Sequence, residues 1–125
     1  MKIKDIMRKK FACIHDDATV REVSGSLIKH KLSGMPVIDN KGNLAGFVSE
    51  RDIIKAISRG SSEKKCIKKL MTRRVITLQE EASIEQASKI FHTNPFRYVP
   101  VKRKKRVVGI VSRKDVIDKL VGQYY

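Results

Sequence analysis

Apolar residues return at helical spacing at corresponding places in the two halves of this chain. Behind Thr19 and behind Ser83, apolar side chains occupy positions i, i+3 and i+7, which turns one face of a helix toward a core. The six residues are Val20, Val23, Leu27, Ile84, Ala87 and Phe91. One amphipathic helix is therefore predicted in each half.

Each of these helices begins with a polar pair that can cap it. Thr19 is followed three residues later by Glu22, and Ser83 is followed by Gln86. In a capping box the hydroxyl accepts a hydrogen bond from a backbone N–H, and the later side chain accepts one from the cap residue. The helices are predicted to begin directly after Thr19 and Ser83.

Runs of strand-like composition surround each helix. A brief strand is predicted before it, at residues 12–15 and 76–79, and a hairpin is predicted after it. In the first half the hairpin strands are residues 35–38 and 44–49, joined by turn residues 39–43. The sequence therefore predicts a mixed α/β fold in each half.

A second helix is predicted from Glu50 to Arg59, with Gly60 as its C-terminal cap. Short leading helices are predicted to end near Met7 and Met71. Each half thus has the order β-α-β-β-α behind a leading helix.

The chain is one unit written twice. Residues 3–37 match residues 67–101 at an offset of 64 without a gap, and seven of these positions are identical. After a one-residue deletion, Gly46–Asp52 matches Gly109–Asp115 at an offset of 63. Finding the repeat twice in the same order makes each prediction stronger than either copy alone.

The repeats are predicted to span residues 1–60 and 67–125, with a polar linker at residues 61–66. A unit of this length buries its sheet poorly by itself, so the two repeats are expected to pack on each other.

Charge is the unusual part of the composition. Lys and Arg number 28 against 13 acidic residues, giving a net charge of +15. The first 62 residues carry 12 basic and 7 acidic groups, whereas the remaining residues carry 16 and 6. The surplus in the second half predicts an anionic partner.

Other chemistry is scarce. No apolar run reaches the length of a membrane span and the N-terminus lacks a signal-peptide core, which predicts a soluble, cytoplasmic protein with no membrane partner. Cys13 and Cys66 are interpreted as buried reduced thiols, and no zinc site is expected. The chain contains no P-loop, GxSxG or HExxH, so neither an enzyme nor a resident cofactor is predicted.

Four segments resemble the cystathionine-β-synthase (CBS) domain family. They are Gly34-Met35-Pro36-Val37-Ile38-Asp39, Gly46-Phe47-Val48-Ser49-Glu50-Arg51-Asp52, Tyr98-Val99-Pro100-Val101 and Gly109-Ile110-Val111-Ser112-Arg113-Lys114-Asp115. The resemblance covers nearly the whole chain. It implies two CBS repeats about a pseudo-twofold axis, with clefts between them for AMP, ADP, ATP or S-adenosylmethionine.

The resemblance also implies a regulatory sensor. Ligand binding would favour one orientation of the repeats, and a second protomer of a homodimer or a partner protein of unknown identity would sense it.

In that family the Gly-apolar-x-Ser/Thr-x-x-Asp pattern contacts ribose and phosphate, which implies ligand roles for Ser49, Asp52, Ser112 and Asp115. Chemistry supports this role, because an ionised carboxylate can accept hydrogen bonds from both hydroxyls of a ribose. Each Asp also lies where a strand turns into a helix, whose N–H groups favour an anion. The glycines are expected to allow close backbone approach. The alternative is that Ser-x-x-Asp only caps a helix.

The resemblance places adenine against the residues behind each leading helix and against the strand that contains each proline. The residues are Phe11, Ala12, Met35 and Pro36 in the first repeat, and Val75, Ile76, Val99 and Pro100 in the second. The alternative is that these are core strand residues, with both prolines ending ladder pairing at a sheet edge. Phosphate contacts are expected from Lys9 and Lys10, from Arg73 and Arg74, and from Arg97, where the first repeat has Ser33.

The basic tract Lys102-Arg103-Lys104-Lys105-Arg106 replaces the turn of the first repeat and is expected at an exposed hairpin tip. A solvated charge run is one interpretation. The other is contact with an RNA or DNA backbone, so nucleic-acid binding is the alternative function.

Overall fold

The computed structural model describes residues 1–122. In this part of the chain the elements are β1 (Ile14–His15), α1 (Val20–His30), β2 (Gly34–Ile38), β3 (Leu44–Ser49), α2 (Glu50–Ser58), β4 (Leu78–Gln79), α3 (Ile84–Thr93), β5 (Tyr98–Arg103), β6 (Arg106–Ser112) and α4 (Arg113–Gly122). Each half has the predicted order β-α-β-β-α, which confirms the α/β class. The predicted end of the second repeat at residue 125 lies outside the described residues.

The elements before α1 and α3 are shorter than predicted. The leading helices are single turns of 3₁₀ helix, Ile3–Asp5 and Ile67–Lys69. The first strands contain two residues each, because only these residues pair with the next strand. The starts of α1 and α3 and both bounds of α2 agree with the prediction to within one residue. Gly60 follows α2 with a φ of 79°, and its N–H donates to the Ile57 carbonyl at 3.0 Å.

Two three-stranded sheets are present in the described residues, with orders β1-β2-β3 and β4-β5-β6. In each sheet the short first strand is parallel to the central strand, and the central strand forms an antiparallel hairpin with the third. Both central strands have a register shift directly before their last residues, at Val37/Ile38 and Val101/Lys102. The sheets therefore repeat each other down to this irregularity.

Pro36 and Pro100 lie on central strands, so the expectation of an edge position is wrong. Each is paired with the hairpin partner on one side, Pro36 with Phe47 and Pro100 with Ile110. On the other side, parallel pairing begins only at the next residue. A residue that has no N–H can occupy a central strand where one side of the ladder is open.

The chain divides into two compact units. The first unit is residues 12–75, and the second unit is residues 1–11 together with residues from 76 onward. Each unit therefore combines the sheet and helices of one repeat with the leading segment of the other. Ile67 lies in the core of the first unit, and Ile3 lies in the core of the second.

Backbone hydrogen bonds attach each leading segment to its unit. Thr72 exchanges two bonds of 2.8 Å with Phe47 in the first unit. Arg8 exchanges bonds of 2.8 and 3.0 Å with Ile110 in the second. These isolated antiparallel bridges place each leading segment on β3 or β6.

Two glycines make this approach possible. A Cβ on Gly46 would lie 2.7 Å from the Thr72 carbonyl oxygen, and one on Gly109 would lie 2.7 Å from Met7 Sδ and 3.0 Å from the Arg8 carbonyl oxygen. Real Cβ atoms essentially never come within 3.0 Å of a non-bonded heavy atom from elsewhere in the protein. The predicted close backbone approach is confirmed.

Candidate functional site

The candidate site of the first unit is the turn from β3 into α2. Ser49 is the N-cap residue of α2, and its Oγ accepts a hydrogen bond from the Asp52 N–H at 3.3 Å. Asp52 Oδ2 accepts from the Ser49 N–H at 2.9 Å and from its hydroxyl at 3.1 Å. The predicted capping role is therefore real. Among residues 1–122, Asp52 Oδ1 accepts no hydrogen bond, so this carboxylate oxygen has no protein partner there.

The turn from β6 into α4 repeats this arrangement in the second unit. Asp115 Oδ2 accepts from the Ser112 N–H at 3.0 Å, and Ser112 Oγ accepts from the Asp115 N–H at 3.0 Å. The other oxygen is occupied here. Arg8 donates to Asp115 Oδ1 from Nε at 3.3 Å and from Nη2 at 3.1 Å.

One further pair of positions lies at these turns. The backbone carbonyl of Ser33 accepts from the first residue of α2 at 2.8 Å, and the carbonyl of Arg97 accepts from the first residue of α4 at 2.9 Å. Ser33 and Arg97 are thus held at the same place in their units. The Arg97 side chain is exposed, and its role as a phosphate-binding residue stays a prediction.

The predicted adenine contacts fall into the two units. Ala12, Met35, Pro36 and Val75 belong to the first unit, whereas Phe11, Ile76, Val99 and Pro100 belong to the second. Met35, Val99 and both prolines are wholly buried, so the alternative of core strand residues describes their side chains. Ala12 and Val75 in the first unit, and Phe11 and Ile76 in the second, are partly buried or exposed, so each unit has apolar side chains at its surface.

The remaining basic candidates lie on the leading segments. Lys9 and Lys10 belong to the second unit, and Arg73 and Arg74 belong to the first. All four side chains are exposed. Arg73 donates to the Lys68 carbonyl at 3.1 Å, which leaves Arg74 as the freer of the two guanidinium groups.

The basic tract lies at an exposed hairpin tip, as predicted. β5 ends at Arg103 and β6 begins at Arg106, and Lys104 has a left-handed φ of 57°. Its five cations are not equivalent. Arg103 forms a two-point hydrogen-bonded ion pair with the buried Glu80, which lowers the pKa of that carboxyl.

The neighbouring acid also has two cationic partners. Lys2 Nζ and Lys4 Nζ lie 2.5 and 2.9 Å from the Glu81 carboxylate. Hydrogen bonds from Lys2 and then Lys4 lower the pKa of Glu81 to about 2. Glu80 and Glu81 are therefore ion-pair partners of basic residues in the second unit.

Residues 1–122 contain no group of three or more His, Cys, Asp or Glu side chains that could hold a metal ion. None of their helices has the length and apolar character needed to cross a membrane. Cys13 and Cys66 are free thiols that are partly buried, less than expected, and burial raises the pKa of Cys13.

Arg8 and the Glu80 to Arg103 pair are the contacts that sequence reasoning missed. Arg8 is separated from Asp115 by 107 residues, and nothing in its local sequence distinguishes it from the lysines beside it. The signal that could have revealed it is the offset of 64, which sets Arg8 against Thr72 inside an otherwise basic segment.

Known proteins are similar to this chain in sequence and in fold. L-aspartate semialdehyde sulfurtransferase of Methanocaldococcus jannaschii is 35% identical over 115 residues, which are 91% of this chain and 22% of that protein. The chain thus spans about a fifth of that relative. A 17.7 kDa protein of Acidianus ambivalens is 30% identical over 92% of this chain and 70% of its own length.

A solved structure is similar to this chain in both sequence and fold. The CBS domain pair of protein MJ0100, in complex with 5′-methylthioadenosine and S-adenosyl-L-methionine, superposes with a TM-score of 0.80 at 33% identity, covering 100% of this chain and 98% of that one. The sequence model of the CBS domain matches twice, at residues 3–59 and 67–122. The chain therefore belongs to the CBS domain family, as a pair of CBS repeats.

Proposed function

We propose that this chain is a non-catalytic regulatory module that binds adenosine-containing ligands at Ser49 and Asp52 and at Ser112 and Asp115. The ligand class is AMP, ADP, ATP or S-adenosylmethionine. The observation that carries the proposal is the open Oδ1 of Asp52 at a helix N-terminus. Its support from relatives is the 33% identical CBS pair that was solved with two adenosyl ligands.

The chemistry of binding follows from the turn. The ribose of an adenosine ligand has two adjacent hydroxyl donors, and an ionised carboxylate oxygen can accept from them. The N-terminal ends of α2 and α4 carry the positive end of the helix dipole, which favours negative charge on a ligand at this place. Ala12 and Val75 in the first unit, and Phe11 and Ile76 in the second, each provide apolar surface suited to a flat base.

Asp52→Asn and Asp115→Asn test this proposal while keeping the caps. Asn retains one oxygen to accept the serine N–H, but replaces the other with an NH₂ donor that cannot accept a ribose hydroxyl. We expect each substitution to weaken adenosyl-ligand binding at its own turn by about tenfold or more, since hydrogen bonds to charged groups contribute about 1.5–3 kcal/mol. Isothermal titration calorimetry measures the change.

The matched control is Glu22→Gln. Glu22 occupies the same capping position at α1 that Asp52 occupies at α2, and Gln86 fills that position naturally at α3. Binding should be unchanged in this variant. Absence of a binding isotherm with every adenosyl ligand, or equal binding in wild type and both Asn variants, would contradict the proposed function.

The signal would leave the chain through a protein interface in the cytoplasm, and we propose a homodimer for one such interface. α2 exposes Ile54 and Ile57, whose side chains are 65% and 57% accessible, and α4 exposes Ile117 and Leu120 at corresponding positions. Two like faces on one chain suit two like faces on a second copy. In sedimentation experiments the wild type should be a dimer, and the double variant Ile54→Glu with Ile57→Glu should be a monomer. A monomeric wild type would refute it.

Nucleic-acid binding by the basic tract is the second candidate. It is favoured by Lys104, Lys105 and Arg106, which are exposed and form no ion pair within residues 1–122, whereas Arg103 is held by Glu80. Backbone binding should weaken steeply with salt. In a gel-shift titration, Lys104→Ala with Lys105→Ala should lower RNA or DNA affinity more than Arg103→Ala does. No shift at low salt would exclude this role for the tract.

A further inference from the structure

The two candidate sites differ at one position that touches the ribose-binding carboxylate. In the second unit Arg8 donates twice to Asp115 Oδ1. In the first unit the corresponding residue is Thr72, held by the same backbone bridge to its sheet. Threonine is short and uncharged, so Thr72 places no cation beside Asp52. Within residues 1–122, Asp52 has no cationic partner.

The Arg8 guanidinium occupies the Asp115 oxygen to which a ribose hydroxyl would donate. Asp115 has two oxygens, of which Oδ2 accepts the cap bond from Ser112 and Oδ1 accepts both Arg8 bonds. A ribose hydroxyl that donates to Oδ1 must compete with this charged donor. Because the Asp115 side chain is only 14% exposed, water offers poor compensation for Arg8 when it leaves.

A phosphate on the ligand removes that penalty. The Arg8 side chain is 62% exposed, so it can turn from Asp115 toward an anion on a ligand that lies against the same helix N-terminus. Arg97, whose carbonyl accepts a hydrogen bond from the first residue of α4, is exposed and belongs to the same turn. An adenosine ligand with an uncharged 5′ group gives Arg8 no such partner.

We infer that Arg8 makes the Asp115 site selective for adenosine ligands that carry a phosphate, while the Asp52 site, with Thr72 in its place, accepts those without one. This inference rests on the proposed function, because it assigns ligand class to the same two turns. A single chain could then sense two chemically different adenosine compounds.

Single-site proteins and a matched ligand pair test this inference. Asp52→Asn leaves the Asp115 site, and Asp115→Asn leaves the Asp52 site. AMP and 5′-methylthioadenosine share the adenosine and differ at the 5′ group, so the ratio of their dissociation constants measures selection by charge. In the Asp52→Asn protein, AMP should bind at least about tenfold more tightly than 5′-methylthioadenosine. In the Asp115→Asn protein, AMP should have no such advantage.

Reciprocal substitutions then exchange the preference. Arg8→Thr in the Asp52→Asn protein should remove most of the AMP advantage, whereas Arg8→Lys, which keeps the charge, should retain part of it. Thr72→Arg in the Asp115→Asn protein should create an AMP advantage. Circular dichroism and a urea midpoint check that each variant is folded.

Three results would overturn the inference. An AMP to 5′-methylthioadenosine ratio unchanged by Arg8→Thr excludes selection by Arg8 and leaves the proposed function intact. Binding of neither ligand in the Asp52→Asn protein, with binding in the Asp115→Asn protein, restricts the proposed function to the first unit. If neither single-site protein nor wild type binds any adenosyl ligand, the proposed function fails together with the inference.

Discussion

The first and second units have the same backbone contacts around their candidate sites but differ in the charges of the side chains there. In both, a leading segment from the other repeat is bonded to β3 or β6 beside a glycine, and a Ser and Asp pair closes the turn into the last helix. Around that turn the first unit has Ser33 and Thr72, where the second has Arg97 and Arg8.

This comparison separates the requirements of the fold from those of the ligand. At Gly46 and Gly109 the leading segment lies so close that any side chain is excluded, because an added Cβ would meet a carbonyl oxygen. Side chains at Arg8 and Thr72 project from this segment and are exposed, so they can differ without disturbing it. We therefore expect substitutions of the first kind to change stability and those of the second kind to change ligand preference.

The largest effects should come from Gly46→Ala and Gly109→Ala. Each would force the leading segment away from its strand, at a cost of about 1–3 kcal/mol. We expect Gly46→Ala to cost more, because its closest contact is the rigid Thr72 carbonyl at 2.7 Å. At Gly109 the closest contact is the flexible end of Met7. Urea unfolding gives the total, and amide hydrogen exchange shows which unit opens.

Gly25→Ala is the control for these substitutions. Gly25 lies inside α1 with nothing within 4 Å of an added Cβ, so alanine should stabilise the protein by about 0.5–1 kcal/mol. Destabilisation of the same size at all three glycines would contradict the role of close backbone approach at Gly46 and Gly109.

Capping of α1 and α3 should give the next largest effects, and equal ones. Thr19 Oγ1 and Ser83 Oγ each accept a hydrogen bond of 3.2 Å from a backbone N–H in the first turn. Thr19→Ala and Ser83→Ala should each cost about 1 kcal/mol. Ser58→Ala, which removes only an exposed bond at the end of α2, should stay within about 0.5 kcal/mol of wild type. A large difference between the two caps in urea unfolding would mean that the units are not energetically equivalent.

The sequence predicted what depends on local pattern and on repetition. The caps at Thr19 and Ser83 and the hairpin of residues 35–38 and 44–49 are confirmed, because each is encoded within a few residues and appears twice. The close approach at the glycines is confirmed as well, although the sequence did not identify the segment that approaches them. The serines and aspartates of the candidate sites occupy the helix starts that the sequence assigned to them.

Contacts between residues distant in sequence were not predictable in the same way. Which sheet receives the segment around Ile3 depends on tertiary packing, since its apolar pattern would fit either core. The ion pairs of Arg8 with Asp115 and of Arg103 with Glu80 follow from that packing. The sequence around Pro36 does not reveal that the parallel strand begins at Val37, so it predicts an edge position for this proline.

The smallest effect should be an acid dependence that belongs to the second unit alone. Lys2 and Lys4 lower the pKa of Glu81 to about 2, from an ordinary value of 4.5. A carboxyl whose pKa is lower in the folded state stabilises the fold above its unfolded pKa, and that stabilisation is lost as pH falls from about 4.5 toward 2.

Glu81→Gln should therefore lower stability slightly at pH 7 and flatten the loss of stability between pH 4.5 and 2. The effect should be small, because Glu81 and both lysines are exposed to solvent. Asp17, at the matching position of the first unit, forms no ion pair within residues 1–122, so Asp17→Asn is the control and should leave the acid slope unchanged. Urea midpoints at several pH values measure both. Parallel curves for wild type and Glu81→Gln would mean that the lysines do not hold this carboxylate in solution, and equal flattening by Asp17→Asn would remove this difference between the units.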